Sequence, residues 1–110
     1  MDFVLESDFD EKQTRWNTVL TGEVDIFNSA DMKTQFLELV NEKQGDLYID
    51  CRDLEYIDST ALGALVAVLK NVKSNSHEVH LMNIRPNLAK LFKITSLDKV
   101  FIIKGVEDDK

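Results

Sequence analysis

Apolar and polar residues alternate over residues 3–7 and 15–21, the two-residue period of half-buried strands. The polar stretch Asp8-Phe9-Asp10-Glu11-Lys12-Gln13 between them suits a hairpin connection, so the first strand is expected at an antiparallel edge. After Gly22-Glu23-Val24-Asp25 the period changes. Met32, Phe36, Leu37, Leu39 and Val40 recur at helical spacing, which predicts a helix over 29–43 with Asn28 or Ser29 as cap and Gly45 as stop. Leu47-Tyr48-Ile49-Asp50-Cys51 reads as the next strand, and a short loop ending Tyr56-Ile57-Asp58 leads into a helix over 59–74. A strand over 79–82 follows.

Arg85-Pro86-Asn87 opens another helix, with Pro86 in the first turn where its missing N–H costs nothing. Leu88, Leu91 and Phe92 share one face of it. Thr95-Ser96-Leu97-Asp98 reads as a tight turn, residues 100–103 as the last strand, and residues from about 105 to 110 as an exposed tail. Three strand-helix-strand units in series predict an α/β fold. The sheet is expected to be mostly parallel, with an antiparallel N-terminal edge strand and helices mainly on one face. With 110 residues, one Pro and four Gly, the chain has room for one core and none for a flexible linker, so residues 1–110 are read as a single domain.

The helix over 59–74 has two unlike arcs. Leu62, Leu65, Val66, Val68, Leu69 and Val72 fall on one, the expected core face. Opposite lie Ser59, Thr60, Gly63, Ala64, Ala67, Lys70 and Asn71, a surface of mostly small side chains that starts at a hydroxyl. Such a surface suits close approach of another protein or of a neighbouring helix in the same domain, and spacing alone fits both. Gly63 inside a helix costs about 1 kcal/mol relative to Ala, so it needs one of those reasons. At the start of the helix either Asp58 or Ser59 can be the cap. A phosphate on Ser59 would meet unsatisfied backbone N–H groups and the positive end of the helix dipole, so modification would change the surface without breaking the fold.

Charge narrows the partners. With 20 Asp plus Glu against 13 Lys plus Arg, the net charge is -7, which argues against nucleic acid and anionic membrane surfaces. No apolar run approaches the roughly 20 residues of a membrane span, and Met1-Asp2 lacks the basic start of a signal peptide, so a soluble, cytoplasmic protein is expected; the modest apolar content and the net charge favour a monomer when free. The single cysteine, Cys51, permits no intrachain disulfide and reads as a small, partly buried residue.

Catalytic apparatus is hard to assemble from these residues. There is no phosphate-cradling glycine loop and no Walker-type lysine, and His77 and His80 fall at the far end of the helix from Ser59. Asp50, Asp53, Glu55 and Asp58 loosely resemble the acids of a phosphorelay receiver, but Glu23, Asp25 and Lys104 imitate that fold's other requirements poorly. No enzyme, cofactor or metal site is expected. Trp16, Phe9 and Tyr56 are assigned to packing, and Asp25 on its own reads as a loop carboxylate capping the helix from Ser29.

Three blocks, Leu20-Thr21-Gly22-Glu23-Val24-Asp25, Asp58-Ser59-Thr60-Ala61-Leu62-Gly63 and Leu91-Phe92-Lys93-Ile94-Thr95-Ser96-Leu97, resemble in order and spacing the STAS domains of bacterial anti-sigma factor antagonists. The resemblance covers nearly the whole chain and implies a partner-switching phosphoprotein in transcription regulation. In that family the unphosphorylated form binds an anti-sigma factor that is also a serine kinase, and so frees a sigma factor. The kinase then modifies a serine and a serine phosphatase reverses the step. By position the acceptor is Ser59, and Asp25 and Asp58 fall near the kinase contact, beside the small face of Thr60, Gly63, Ala64 and Ala67. Two positions depart from the pattern. Ala61 stands where the family generally has Gly, a methyl that would alter kinase fit if it lies beside the acceptor. Ser96 replaces a common Gly, so a turn that is not left-handed is expected there. Within the same fold the alternative is a STAS subunit of a transport or stress-signalling assembly; outside it, a small enzyme or a phosphorelay receiver.

Overall fold

A computed structural model of the chain describes residues 2–105. Its elements run β1 (Phe3–Asp10), β2 (Arg15–Val24), α1 (Ser29–Glu42), β3 (Asp46–Asp50), β4 (Leu54–Ile57), α2 (Ser59–Ser74), β5 (Val79–Ile84), α3 (Pro86–Ile94), a 3-10 turn (Leu97–Lys99) and β6 (Ile102–Gly105). The strands form one sheet in the order β1-β2-β3-β5-β6, with β4 also paired to β2. β1 is antiparallel to β2 and every other pairing is parallel. The architecture is therefore the expected α/β fold, with the antiparallel strand at the N-terminal edge.

One face of the sheet is buried. Trp16, Thr18 and Leu20 on β2, Leu47 and Ile49 on β3, and Val79 and Leu81 on β5 alternate inward. They join Met32, Phe36 and Val40 of α1, Leu65, Val68 and Val72 of α2, and Leu88 and Phe92 of α3 in a single core cluster. All three helices thus bury their apolar stripes against the same side. Two polar side chains that enter the core are satisfied by backbone carbonyls: Thr18 Oγ1 donates to the Tyr48 carbonyl at 2.8 Å and Trp16 Nε1 to the Lys43 carbonyl at 2.9 Å. Gly22 is needed where β1 crosses β2, because its φ is 98° and a Cβ there would meet the Asp2 carbonyl at 2.3 Å.

Several expected boundaries move. The segment 54–57, read as loop, is a strand: β3 pairs with the first half of β2, and β4 resumes pairing along its second half from Gly22 to Val24. Four residues buried at both ends and exposed in the middle carry no alternation to recognise. The last strand starts later than residues 100–103, because Phe101 turns into the core against Phe92, with ring centroids 5.4 Å apart. Gly105 accordingly belongs to β6 and not to a tail; the rest of the expected tail, 106–110, lies outside the described residues. Ser96 corrects another expectation. Its φ of 62° and ψ of 16° are left-handed, so the turn before the last strand keeps the conformation although it lacks glycine.

Candidate functional site

The site begins where β2 and β4 end side by side. Val24 and Ile57 are register partners on these parallel strands, so the turn into α1 and the N-terminus of α2 emerge together. Asp58 sits between strand and helix in extended conformation and is the cap of α2, which leaves Ser59 as the first helical residue. The carboxylate of Asp58 divides its oxygens between two elements. Oδ1 accepts from Ala61 N at 2.9 Å and Thr60 Oγ1 at 2.6 Å, and Oδ2 accepts from Ile26 N at 3.0 Å across the site. The Thr60 hydroxyl and then the Ala61 amide hold the Asp58 carboxyl below the usual carboxylate range, helped by Ile26 and opposed by partial desolvation.

With Asp58 in the cap, Ser59 is exposed and its hydroxyl has no hydrogen-bond partner among the described residues. Thr60 and Gly63 are exposed beside it, and a Cβ built on Gly63 would meet nothing within 4 Å. The small-residue face is narrower than its spacing suggests. Ala64 is largely buried, keeping 9% of its surface exposed, and Ala67 is half-buried. The helix is rotated so that Ala61 and Ala64 face inward and Leu62 and Val66 are only half-buried. Ala61 is fully buried, so the methyl that distinguishes it from glycine enters the core and does not lie against the Ser59 hydroxyl.

Asp25 is part of the same cluster but does not cap α1. Its Oδ1 accepts from Phe27 N at 2.9 Å, closing a turn, and its carbonyl accepts from Asn28 N and Ser29 N. Asn28 is the helix N-cap residue, yet its side chain turns back to the strand: Oδ1 accepts from Asp25 N at 2.8 Å and Nδ2 donates to the Glu23 carbonyl at 3.0 Å. Ile26 and Phe27 have no role in the sequence pattern, and Asn28 has only that of a candidate helix cap. Ile26 is 64% exposed and Phe27 93% exposed. Their signal was two large apolar residues in a turn, outside the spacing of the helix that follows.

Other candidate groups lie apart from this cluster. His77 and His80 gather around Asp46, with His77 Nδ1 3.3 Å and His80 Nε2 3.9 Å from its carboxylate, at the strand-β3 end remote from Asp58. Burial lowers the His80 pKa, against the pull of Asp46 and Glu78. Burial pushes the Cys51 thiol up to about 12, aided by Asp50. Asp50 is occupied as an acceptor for Arg52 N and Asn83 Nδ2. Among the described residues no group of three or more His, Cys, Asp or Glu side chains could hold a metal ion, and no helix is long and apolar enough to cross a membrane. Of the aromatic residues assigned to packing, Trp16 is buried with Phe9 edge-on at 5.1 Å, but Tyr56 is 47% exposed. A hollow of about 660 Å³ on the uncovered face of the sheet, floored by Tyr48 between Arg15 and His80, includes none of the Ser59 cluster.

The family model for the STAS domain matches residues 17–109 of this chain. The anti-sigma-B factor antagonist of Listeria monocytogenes is 34% identical over 91 residues, covering 82% of this chain and 79% of that protein. The crystal structure of an anti-sigma factor antagonist from Mycobacterium paratuberculosis superposes with a TM-score of 0.77 at 20% identity, over 98% of this chain and 90% of that one. The Bacillus cell fate determinant SpoIIAA in its phosphorylated form superposes with a TM-score of 0.68 at 16% identity, over 98% and 96% of the two chains. At those identities the two structures establish the shared fold.

Proposed function

Since the chain belongs to the STAS domain family, we propose that it is an anti-sigma factor antagonist switched by phosphorylation of Ser59. In its unmodified form it binds an anti-sigma factor that is also a serine kinase, releasing a sigma factor; a serine phosphatase restores it after modification. The observation that carries this reading is the position of Ser59. Asp58 satisfies the helix cap, so the Ser59 hydroxyl is free for transfer chemistry, and the open ground over Gly63 lets a large partner reach it.

Ser59 is a substrate in this scheme. Kinase chemistry needs bound ATP, Mg²⁺ and a base near the hydroxyl, and these belong to the partner. The Listeria monocytogenes relative is named for antagonism of an anti-sigma factor. A phosphate adds about -1.5 to -2 charge beside the Asp58 carboxylate, with Asp25 on the facing turn. A partner surface complementary to the unmodified site then meets added bulk, desolvation and, at any acidic group, repulsion. Weakening by roughly a hundredfold to a thousandfold follows from losing the contact over Thr60 and Gly63. The phosphate itself is accommodated at the N-terminus of α2, so the fold is retained.

The test is incubation with ATP and the anti-sigma factor kinases of the source organism, followed by mass spectrometry and affinity measurement. Phosphate should appear on Ser59 alone, Ser59→Ala should bind and resist modification, and Ser59→Asp should lose binding. Tight binding by Ser59→Asp, or modification elsewhere, overturns the reading. An acid-labile phosphate on an aspartate would indicate a receiver instead.

A further inference from the structure

We propose that Phe27, supported by Ile26, is the apolar anchor by which this chain seats in its anti-sigma factor partner, in an apolar pocket bordered by basic side chains; the identity of the partner rests on the function proposed above. Phe27 keeps 93% of its surface in water and Ile26 64%, although residues of this kind supply most of the core elsewhere in the chain. Isolated apolar residues on a surface are ordinary, but these two are adjacent and presented together.

Their turn is held from every side. Ile26 N donates to Asp58 Oδ2, Phe27 N to Asp25 Oδ1, Asp25 N to Asn28 Oδ1, and Asn28 Nδ2 to the Glu23 carbonyl. The backbone amides of Asn28 and Ser29 both close on the Asp25 carbonyl. A ring carried on so constrained a backbone gives up little freedom when it enters a pocket, which is the economical way to build a binding anchor. Exposed aromatic anchors that become desolvated on binding dominate the energetics of protein interfaces.

The position of the turn selects the occupant. A single hydrogen bond of 3.0 Å joins Ile26 to the carboxylate that caps the helix bearing Ser59, so a kinase reaching that hydroxyl covers the turn as well. The carboxylates of Asp25 and Asp58 flank the apolar pair and, with a net charge of -7, call for cationic groups around the receiving pocket.

The experiment measures the affinity of the full chain for the anti-sigma factor of its own organism that binds the unmodified protein. Phe27→Ala should weaken binding about tenfold to a hundredfold, as removal of a central anchor does, with an unchanged melting temperature because the ring touches little of its own fold. Phe27→Trp provides a direct readout: the new indole should be quenched by iodide in the free chain and protected in the complex, while buried Trp16 stays silent in both. Binding by Phe27→Ala within about twofold of wild type, with the new indole still quenched in the complex, overturns the anchor. If Ser59→Asp loses binding in the same assay, the switch survives that result. Conversely, tight binding by Ser59→Asp alongside weak binding by Phe27→Ala would sink the switch and leave the anchor standing.

Discussion

Asp58 holds both sides of the site with one side chain, Oδ1 on its own helix and Oδ2 on the turn before α1. Its lowered pKa means that these bonds favour the ionised form, so their stabilisation is present above the unfolded carboxyl value near 4 and is lost as pH falls through the lower native value. Asp58→Asn should therefore melt below wild type at pH 7, with the gap closing as both are acidified below about pH 4. Calorimetric melts from pH 7 to pH 3 check this, and a gap independent of pH would show that the ionised carboxylate is not what holds the site. Residue identity made the cap legible only as a choice between Asp58 and Ser59, because both are good cap residues and the backbone angles at the junction decide. Ser96 was misread for a similar reason: a non-glycine at that place suggested an ordinary turn, yet the surrounding fold imposes φ of 62° on it.

Along α2 the periodicity located the helix from Ser59 to Ser74 and its apolar side, but it placed Ala64 on the wrong one. Alanine carries too little surface to declare a face, so the small residues at 61, 64 and 67 follow whatever rotation the larger ones settle on. Gly63 is different because its surroundings are empty. Gly63→Ala should raise stability by up to about 1 kcal/mol through helix propensity, measured by urea unfolding, since the added methyl meets nothing within 4 Å. The same methyl stands on the proposed contact surface and should weaken partner binding. A loss of stability would mean that the helix at 63 is strained in a way its open surroundings do not suggest. β4 was invisible for want of length: Leu54 and Ile57 are buried while Glu55 and Tyr56 are exposed, and what makes them a strand is β2 alongside.

Across the whole molecule, the proposed site is confined to one end of the sheet and the core lies behind it in a single cluster. Phosphorylation should accordingly be a local event. Backbone amide shifts compared before and after modification should move around residues 24–28 and 58–63, while β3 and β5, which pair through the middle of the sheet, stay fixed. Widespread shifts would point to a conformational switch in place of a surface one. Fold class, strand order at the N-terminal edge and the three helices were legible because each rests on many apolar positions in register. The Ile26 and Phe27 turn was not, because exposure is set by what the rest of the chain leaves uncovered.

β2 has a further use because it runs the full height of the sheet, from Arg15 beside the hairpin turn to Val24 beside Asp25. Ten residues of extended chain separate the two ends by about 30 Å. A dye, biotin or tether attached at the hairpin around exposed Lys12 would therefore stand clear of the Ser59 end. Immobilised that way, every molecule would offer the same end to solution, with Phe27 and Ser59 both facing a partner in flow.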